Sequence, residues 1–199
     1  MSAESRVEAI RVLSHAAGAD GMVAGQVIDT LCGVSTQQEL TGMYRLKTGV
    51  MISAAAELGC VASGMPATMR QQAIAFADKL GLAFQIRDDM LDVVGDEQTL
   101  GKSIGSDSAN EKTTFYTLKG LDACRTLVKR LTGEAIEALA PFGGEGGALC
   151  WLAEQLAGLS LGPLTVWEGE RAAVLGQGEF LRFFTDGKGV SAQTARGVY

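Results

Sequence analysis

The run with the clearest chemical potential is Phe84-Gln85-Ile86-Arg87-Asp88-Asp89-Met90-Leu91-Asp92. On a helix, Asp88 and Asp92 stand one turn apart on the same face, and Asp89 lies about 100° round from Asp88. Three carboxylates so close repel one another unless cations neutralise them. Phe84, Ile86 and Leu91 are apolar, so the segment cannot turn wholly outward without exposing them. Magnesium takes oxygen ligands, keeps several waters and commonly bridges one or two carboxylates to substrate phosphates. A helix-borne DDxxD beside a cavity suits that role. The same residues alone would also make an ordinary solvated acidic face, because short motifs recur by chance. The context has to decide.

That context is Lys47-Thr48-Gly49 upstream and Leu100-Gly101-Lys102 downstream. Ammonium groups facing a magnesium-bridged polyphosphate would complete its neutralisation as point charges. Either lysine by itself reads as surface solvation. His15 is the single histidine, with no evident partner for a catalytic or metal site. Cys32, Cys60, Cys124 and Cys150 form no CxxC pair and no zinc or disulfide spacing, and are expected to be buried thiols in a reducing cytosol.

The elements that must hold these residues are helical. Val7, Ile10, Leu13 and Ala17 recur at three- and four-residue steps behind the capping candidates Ser2 and Ser5. A second segment spans Gly21 to Leu31. A third runs from Gln37 to Leu58 with Leu40, Met43, Leu46, Val50 and Ala54 on one stripe. Gly49 inside it costs roughly 1 kcal/mol against alanine, which predicts a close neighbour at that backbone. Gly59 to Pro66 reads as a break. A long helix is expected from Thr68 to Val94, ended by Gly95 and Asp96, then a loop from Asp96 to Thr113. Thr117 to Leu139 reads as one amphipathic helix, Pro141 to Gly147 as a break, and Ala148 to Ala157 as a last helix. Residues 1–157 are therefore expected to form an all-α bundle. Residues 158–199 change character: glycine is frequent and no period is sustained. They are expected to form a divergent, partly disordered tail, with a short strand or helix near Gly178 to Phe184.

Bulk properties narrow the function classes. With 199 residues, 47% hydrophobic and 20% charged, the chain can bury a sizeable core and is not disordered by composition. A net charge of −6 argues against binding nucleic acid or an anionic membrane through the overall field. Phosphate would have to be held locally, by metal ions or a few placed cations. With Glu4 and Glu8 near the start and no apolar core before a cleavage site, no secretory signal is expected. The longest apolar stretch, Val50 to Gly64, is interrupted by Glu57, so no membrane span is expected.

Taken together, GMVAGQVIDT, YRLKTGVMISAAAELG, ADKLGLAFQIRDDMLDVVGDEQTLGKSIGSD and NEKTTFYTLKGLDACR resemble, in order and spacing, the trans-isoprenyl diphosphate synthase family. They look most like its bacterial farnesyl diphosphate synthase branch. The resemblance covers roughly residues 1 to 157. It implies an isoprenoid-synthase-type helical bundle, a cytoplasmic location and a homodimer. It implies condensation of isopentenyl diphosphate with an allylic diphosphate, with Mg²⁺ as cofactor. Asp88, Asp89 and Asp92 would hold the metal. Lys47, Lys102 and Gln26 would hold the diphosphate, Gln26 matching the glutamine of a GGQ motif in which Ala24 replaces the first glycine. Thr48 and Gln85 would sit beside the carbocation. The family's first aspartate-rich motif has no counterpart here, nor do the residues that hold isopentenyl diphosphate. The resemblance thus implies a C-terminal half with the N-terminal helices missing and with impaired activity. Two alternatives stay open: a non-catalytic partner subunit of a complete synthase, and a related Mg-dependent terpene synthase.

Overall fold

The computed structural model describes residues 1–94 and 112–157, together with the backbone of strands at 164–168, 171–175, 179–185 and 190–196. They divide into two compact units, Met1–Leu159 and Ser160–Tyr199. The first unit is all-α.

Helix α1 (Ala3–Ala17) starts where the Ser2 hydroxyl accepts a hydrogen bond from the Ser5 amide at 3.1 Å. It buries Val12 and Ala16 against Ala54. The apolar stripe of Val7, Ile10 and Leu13 faces outward instead, with Ile10 65% exposed. Helix α2 (Met22–Val27) continues into a π-helical turn, Ile28–Cys32, closed by Gly33. Helix α3 (Gln37–Tyr44) opens on a capping box: Glu39 accepts from the Thr36 amide while the Thr36 hydroxyl accepts from the Glu39 amide. A second π-helical turn, Arg45–Gly49, joins α3 to α4 (Val50–Ser63).

Gly59 does not end this run, as the glycine-rich stretch suggests it should. Open space surrounds it and the helix continues past it. The stop is Gly64, at φ 69°, whose amide donates to the Cys60 and Val61 carbonyls. The continuous run Gln37–Ser63 is long and apolar enough to cross a membrane by length and composition alone, with mean hydropathy 1.2. Here α4 packs between α1 and α5, and the run carries Arg45 and Lys47 near its middle.

Helix α5 (Ala67–Val94) is the central rod. Its first half, with Phe76, Ala77 and Leu80, packs on Ala135, Leu139 and Ala153. Its second half, with Leu82, Ala83, Ile86 and Met90, packs on Leu40, Met43, Tyr44, Phe115, Cys124, Val128 and Leu131. The neighbour expected at Gly49 is Gly81 of α5, where an added Cβ would lie 3.1 Å from the Gly49 Cα. Arg70 ties three helices together by hydrogen bonds to Glu8 and Glu57.

The expected single helix from Thr117 to Leu139 is two: α6 (Phe115–Lys119) and α7 (Leu121–Ala138). Gly120 at φ 76° separates them, a conformation that side-chain-bearing residues rarely adopt. A 3₁₀ segment, Ala140–Gly146, with Pro141 leads into α8 (Gly147–Ala157). Most of the expected loop from Asp96 to Thr113, including Lys102, lies outside the described residues. The cysteines are free and Cys60 and Cys124 are buried as expected, but Cys150 is only half-buried and Cys32 is exposed because its π-helical turn lies on the surface.

In the second unit, β1 (Leu164–Glu168) pairs antiparallel with β2 (Arg171–Leu175), and β3 (Glu179–Thr185) with β4 (Val190–Arg196). Each pair forms a two-stranded sheet.

Candidate functional site

Helix α2, just before its π-helical turn, crosses the Arg45–Gly49 turn at close backbone distance. A Cβ on Gly25 would sit 2.7 Å from the Leu46 carbonyl carbon and nearer still to the Lys47 amide, so only glycine lets α2 approach this closely. Widened turns of this kind often mark functional positions, because they re-aim the side chains they carry. The crossing brings the Lys47 ammonium to 2.7 Å from Asp29 Oδ2. Lys112, in the extended approach to α6, reaches the same carboxylate at 3.2 Å and 3.3 Å. Burial pushes the Asp29 carboxyl up, but hydrogen bonds and charge from Lys47 and Lys112 outweigh it and hold it below the ordinary range.

These residues line a polar cleft of about 490 Å³ bounded by the Ile28–Cys32 turn, α3, the Arg45–Gly49 turn, α5 and Lys112 to Thr114. Lys47, Gln85, Asp88 and Asp89 are brought together there. Asp88 is exposed in the cleft, whereas Asp89 and Asp92 are buried. Asp89 Oδ1 accepts from the Tyr44 hydroxyl at 2.7 Å, and Oδ2 accepts from the Phe115 amide at 2.8 Å. Asp92 and Thr48 are not among the described lining residues. Gln26 lies outside the lining too, and its side-chain amide donates to the Thr30 hydroxyl at 3.0 Å, steadying a residue that does line the cleft. Lys102 falls outside the described residues.

Sequence reasoning missed Asp29, Lys112 and Tyr44. Asp29 stands one turn after Gln26, and Lys112 precedes Thr114, the N-cap of α6, so helix spacing and capping chemistry offered a signal. Tyr44 carried none, since it reads as a core aromatic. Arg87, next to Asp88, is also buried: desolvation pulls its guanidinium below the usual arginine range, opposed by the Asp88 charge.

Among the described residues, no group of three or more histidine, cysteine, aspartate or glutamate side chains could enclose a metal ion. The described residues of this cleft therefore do not by themselves form a complete protein cage. An exposed carboxylate, Asp88, in one cleft with two ammonium groups would suit a Mg²⁺ ion held together with a phosphate-bearing ligand.

The Polyprenyl synthetase family profile matches residues 1–139. The chain is 37% identical over 158 residues to a farnesyl diphosphate synthase of Geobacillus stearothermophilus, covering 76% of this chain and 52% of that protein. Among solved structures, an FPP/GFPP synthase from Zymomonas mobilis in its apo form is similar, with TM-score 0.67 and 33% identity over 78% of this chain and 52% of that one. So is a geranyltransferase from Helicobacter pylori complexed with magnesium and isoprenyl diphosphate, with TM-score 0.66 and 32% identity over 78% of this chain and 52% of that one. The chain spans about half the length of the curated relatives it matches.

Proposed function

The chain belongs to the polyprenyl synthetase family, and from that premise we propose that it forms the diphosphate-holding wall of a trans-prenyltransferase site. The reaction is condensation of isopentenyl diphosphate with an allylic diphosphate, giving a short-chain product such as farnesyl diphosphate. The observation that carries this reading is the convergence of Asp88, Lys47 and Lys112 in one polar cleft.

In this reading Asp88 is the exposed carboxylate that holds Mg²⁺, while Asp89 and Asp92 complete the motif from the buried side of α5. Magnesium, when bound, supplies positive charge that offsets the charge developing on the leaving diphosphate. Lys47 and Lys112, freed from Asp29, turn to the same diphosphate, and Lys102 joins them. The Gln85 carbonyl oxygen and the Thr48 hydroxyl offer dipoles to the allylic cation. Gln26 supports the diphosphate side through Thr30. The magnesium and isoprenyl diphosphate in the Helicobacter pylori relative support this choice of ligands.

Within these 199 residues DDxxD occurs once, so they supply one acidic face of the site. A prenyl transfer by these residues alone is expected to be weak. We propose a cytoplasmic location for the chain, in line with its resemblance to the bacterial farnesyl diphosphate synthases it matches. We also assign it to a homodimer, supported by the outward apolar stripe of α1.

Cys32 provides the test. It is exposed and lines the cleft, while Cys60 and Cys124 are buried. A non-hydrolysable allylic diphosphate analogue with Mg²⁺ is expected to slow alkylation of Cys32, located by mass spectrometry. Equal alkylation rates with and without the analogue would contradict the reading.

A further inference from the structure

Asp89 sits in the middle of the aspartate motif, yet its surroundings differ from those of Asp88. It is 6% exposed. Its two oxygens are each engaged by a donor from a different element: the Tyr44 hydroxyl at the end of α3, and the Phe115 amide in the first turn of α6. The rings of Tyr44 and Phe115 lie 5.9 Å apart between centroids, so the two donors are also packed on one another. Phe115 is fully buried. Its amide is one of the donors that a helix start leaves without an intrahelical acceptor, and a carboxylate satisfies it well.

What these two donors carry with them matters. Tyr44 directly precedes the π-helical turn that bears Lys47. Phe115 directly follows Lys112, Thr113 and Thr114, which line the cleft. One buried carboxylate thereby fixes α5, and with it Asp88, to the backbones that present both ammonium groups to Asp29. We propose that Asp89, with Tyr44, is a positioning residue that sets the spacing of Lys47 and Lys112, and that it is not a metal ligand. This rests on the diphosphate-binding reading above.

Asparagine at position 89 separates the two roles. Its carbonyl oxygen can still accept from Phe115 and its amide can donate to the Tyr44 oxygen, so the clamp survives while the charge is lost. The experiment is a calorimetric titration of the metal-loaded and metal-free protein with a non-hydrolysable allylic diphosphate analogue. Asp89→Asn is expected to keep the Mg²⁺ enhancement of binding within about threefold of the unsubstituted chain, whereas Asp88→Asn loses it. Asp89→Ala is expected to weaken binding about tenfold with and without Mg²⁺ alike. If that variant does not fold, Tyr44→Phe replaces it and should weaken binding in the same Mg-independent way. Loss of the Mg²⁺ enhancement in Asp89→Asn, matching Asp88→Asn, would overturn the proposal. If the unsubstituted chain shows no Mg-dependent binding at all, the functional reading fails separately. Ligand-free crystal structures of the variants then decide the clamp. Lys112 should stay within reach of Asp29 in Asp89→Asn and leave it in Tyr44→Phe or Asp89→Ala; unchanged geometry in all of them would overturn it.

Discussion

At the scale of single residues, the molecule uses carboxylates in two ways. Asp29 and Asp88 face the cleft, where lysines, or a metal and its phosphates, can meet them. Glu8 and Glu57 instead join helices through Arg70. Hydrogen bonds from Arg11 and Arg70 hold the Glu8 carboxyl down to about 2. Because the folded-state value lies below the unfolded one, this carboxylate stabilises the fold above the ordinary glutamate range. That contribution is lost as pH falls from about 4.3 toward about 2. The group is partly exposed, so the effect is screened. Thermal melts of Glu8→Gln are therefore expected to fall less steeply across this window than those of the unsubstituted chain. Identical slopes would remove Glu8 from the acid response.

At the scale of elements, helices and their order were legible because period, caps and apolar stripes agree. The capping box at Thr36 and the cap at Ser2 involve the residue types that propensity favours. Three features were not legible. The exposed stripe of α1 follows the same period as a buried one, and period alone does not say which face has a partner. Gly59 and Gly64 are the same residue type and both have open space around them, so glycine alone does not say that Gly64, two residues before Pro66, takes the left-handed stop. The π-helical turns leave no composition signal, yet they aim Lys47 and Asp29 at one another. In the site, Asp88, Asp89, Lys47 and Gln85 were legible as a motif with cationic neighbours. The division between an exposed Asp88 and a clamped Asp89 depends on Tyr44 and Phe115, which are 45 and 26 residues away from Asp89 in the chain. Glycine chemistry at this scale is testable. Gly25→Ala forces a Cβ against the Lys47 backbone and should destabilise by about 1–3 kcal/mol or more. Gly120→Ala meets open space, so its cost is that of a positive-φ extended conformation almost confined to glycine, about 1–3 kcal/mol. Denaturant unfolding checks both. A Gly25→Ala chain as stable as its parent would mean that α2 does not crowd the Arg45–Gly49 turn.

At the scale of the whole molecule, the first unit has a well-filled core along α5 and an uncovered apolar face on α1 and α2. Val7, Ile10 and Leu13 on α1 and Val23 and Val27 on α2 are exposed there. A face of this kind favours association. Sedimentation is expected to show self-association of the chain, weakened at least about tenfold in Ile10→Glu, because a charge in a closed apolar contact is unpaired. A monomer at all concentrations would dissociate the stripe from any dimer contact. The chain matches about half the length of its relatives, so its central role can be tested without catalysis. The most direct measurement is a titration of the purified chain with a non-hydrolysable allylic diphosphate analogue, with and without Mg²⁺, beside Asp88→Ala. Binding that Mg²⁺ strengthens in the parent and no longer strengthens in Asp88→Ala is the predicted result. Binding that is absent, or indifferent to both Mg²⁺ and Asp88, would contradict the assignment of this cleft to diphosphate.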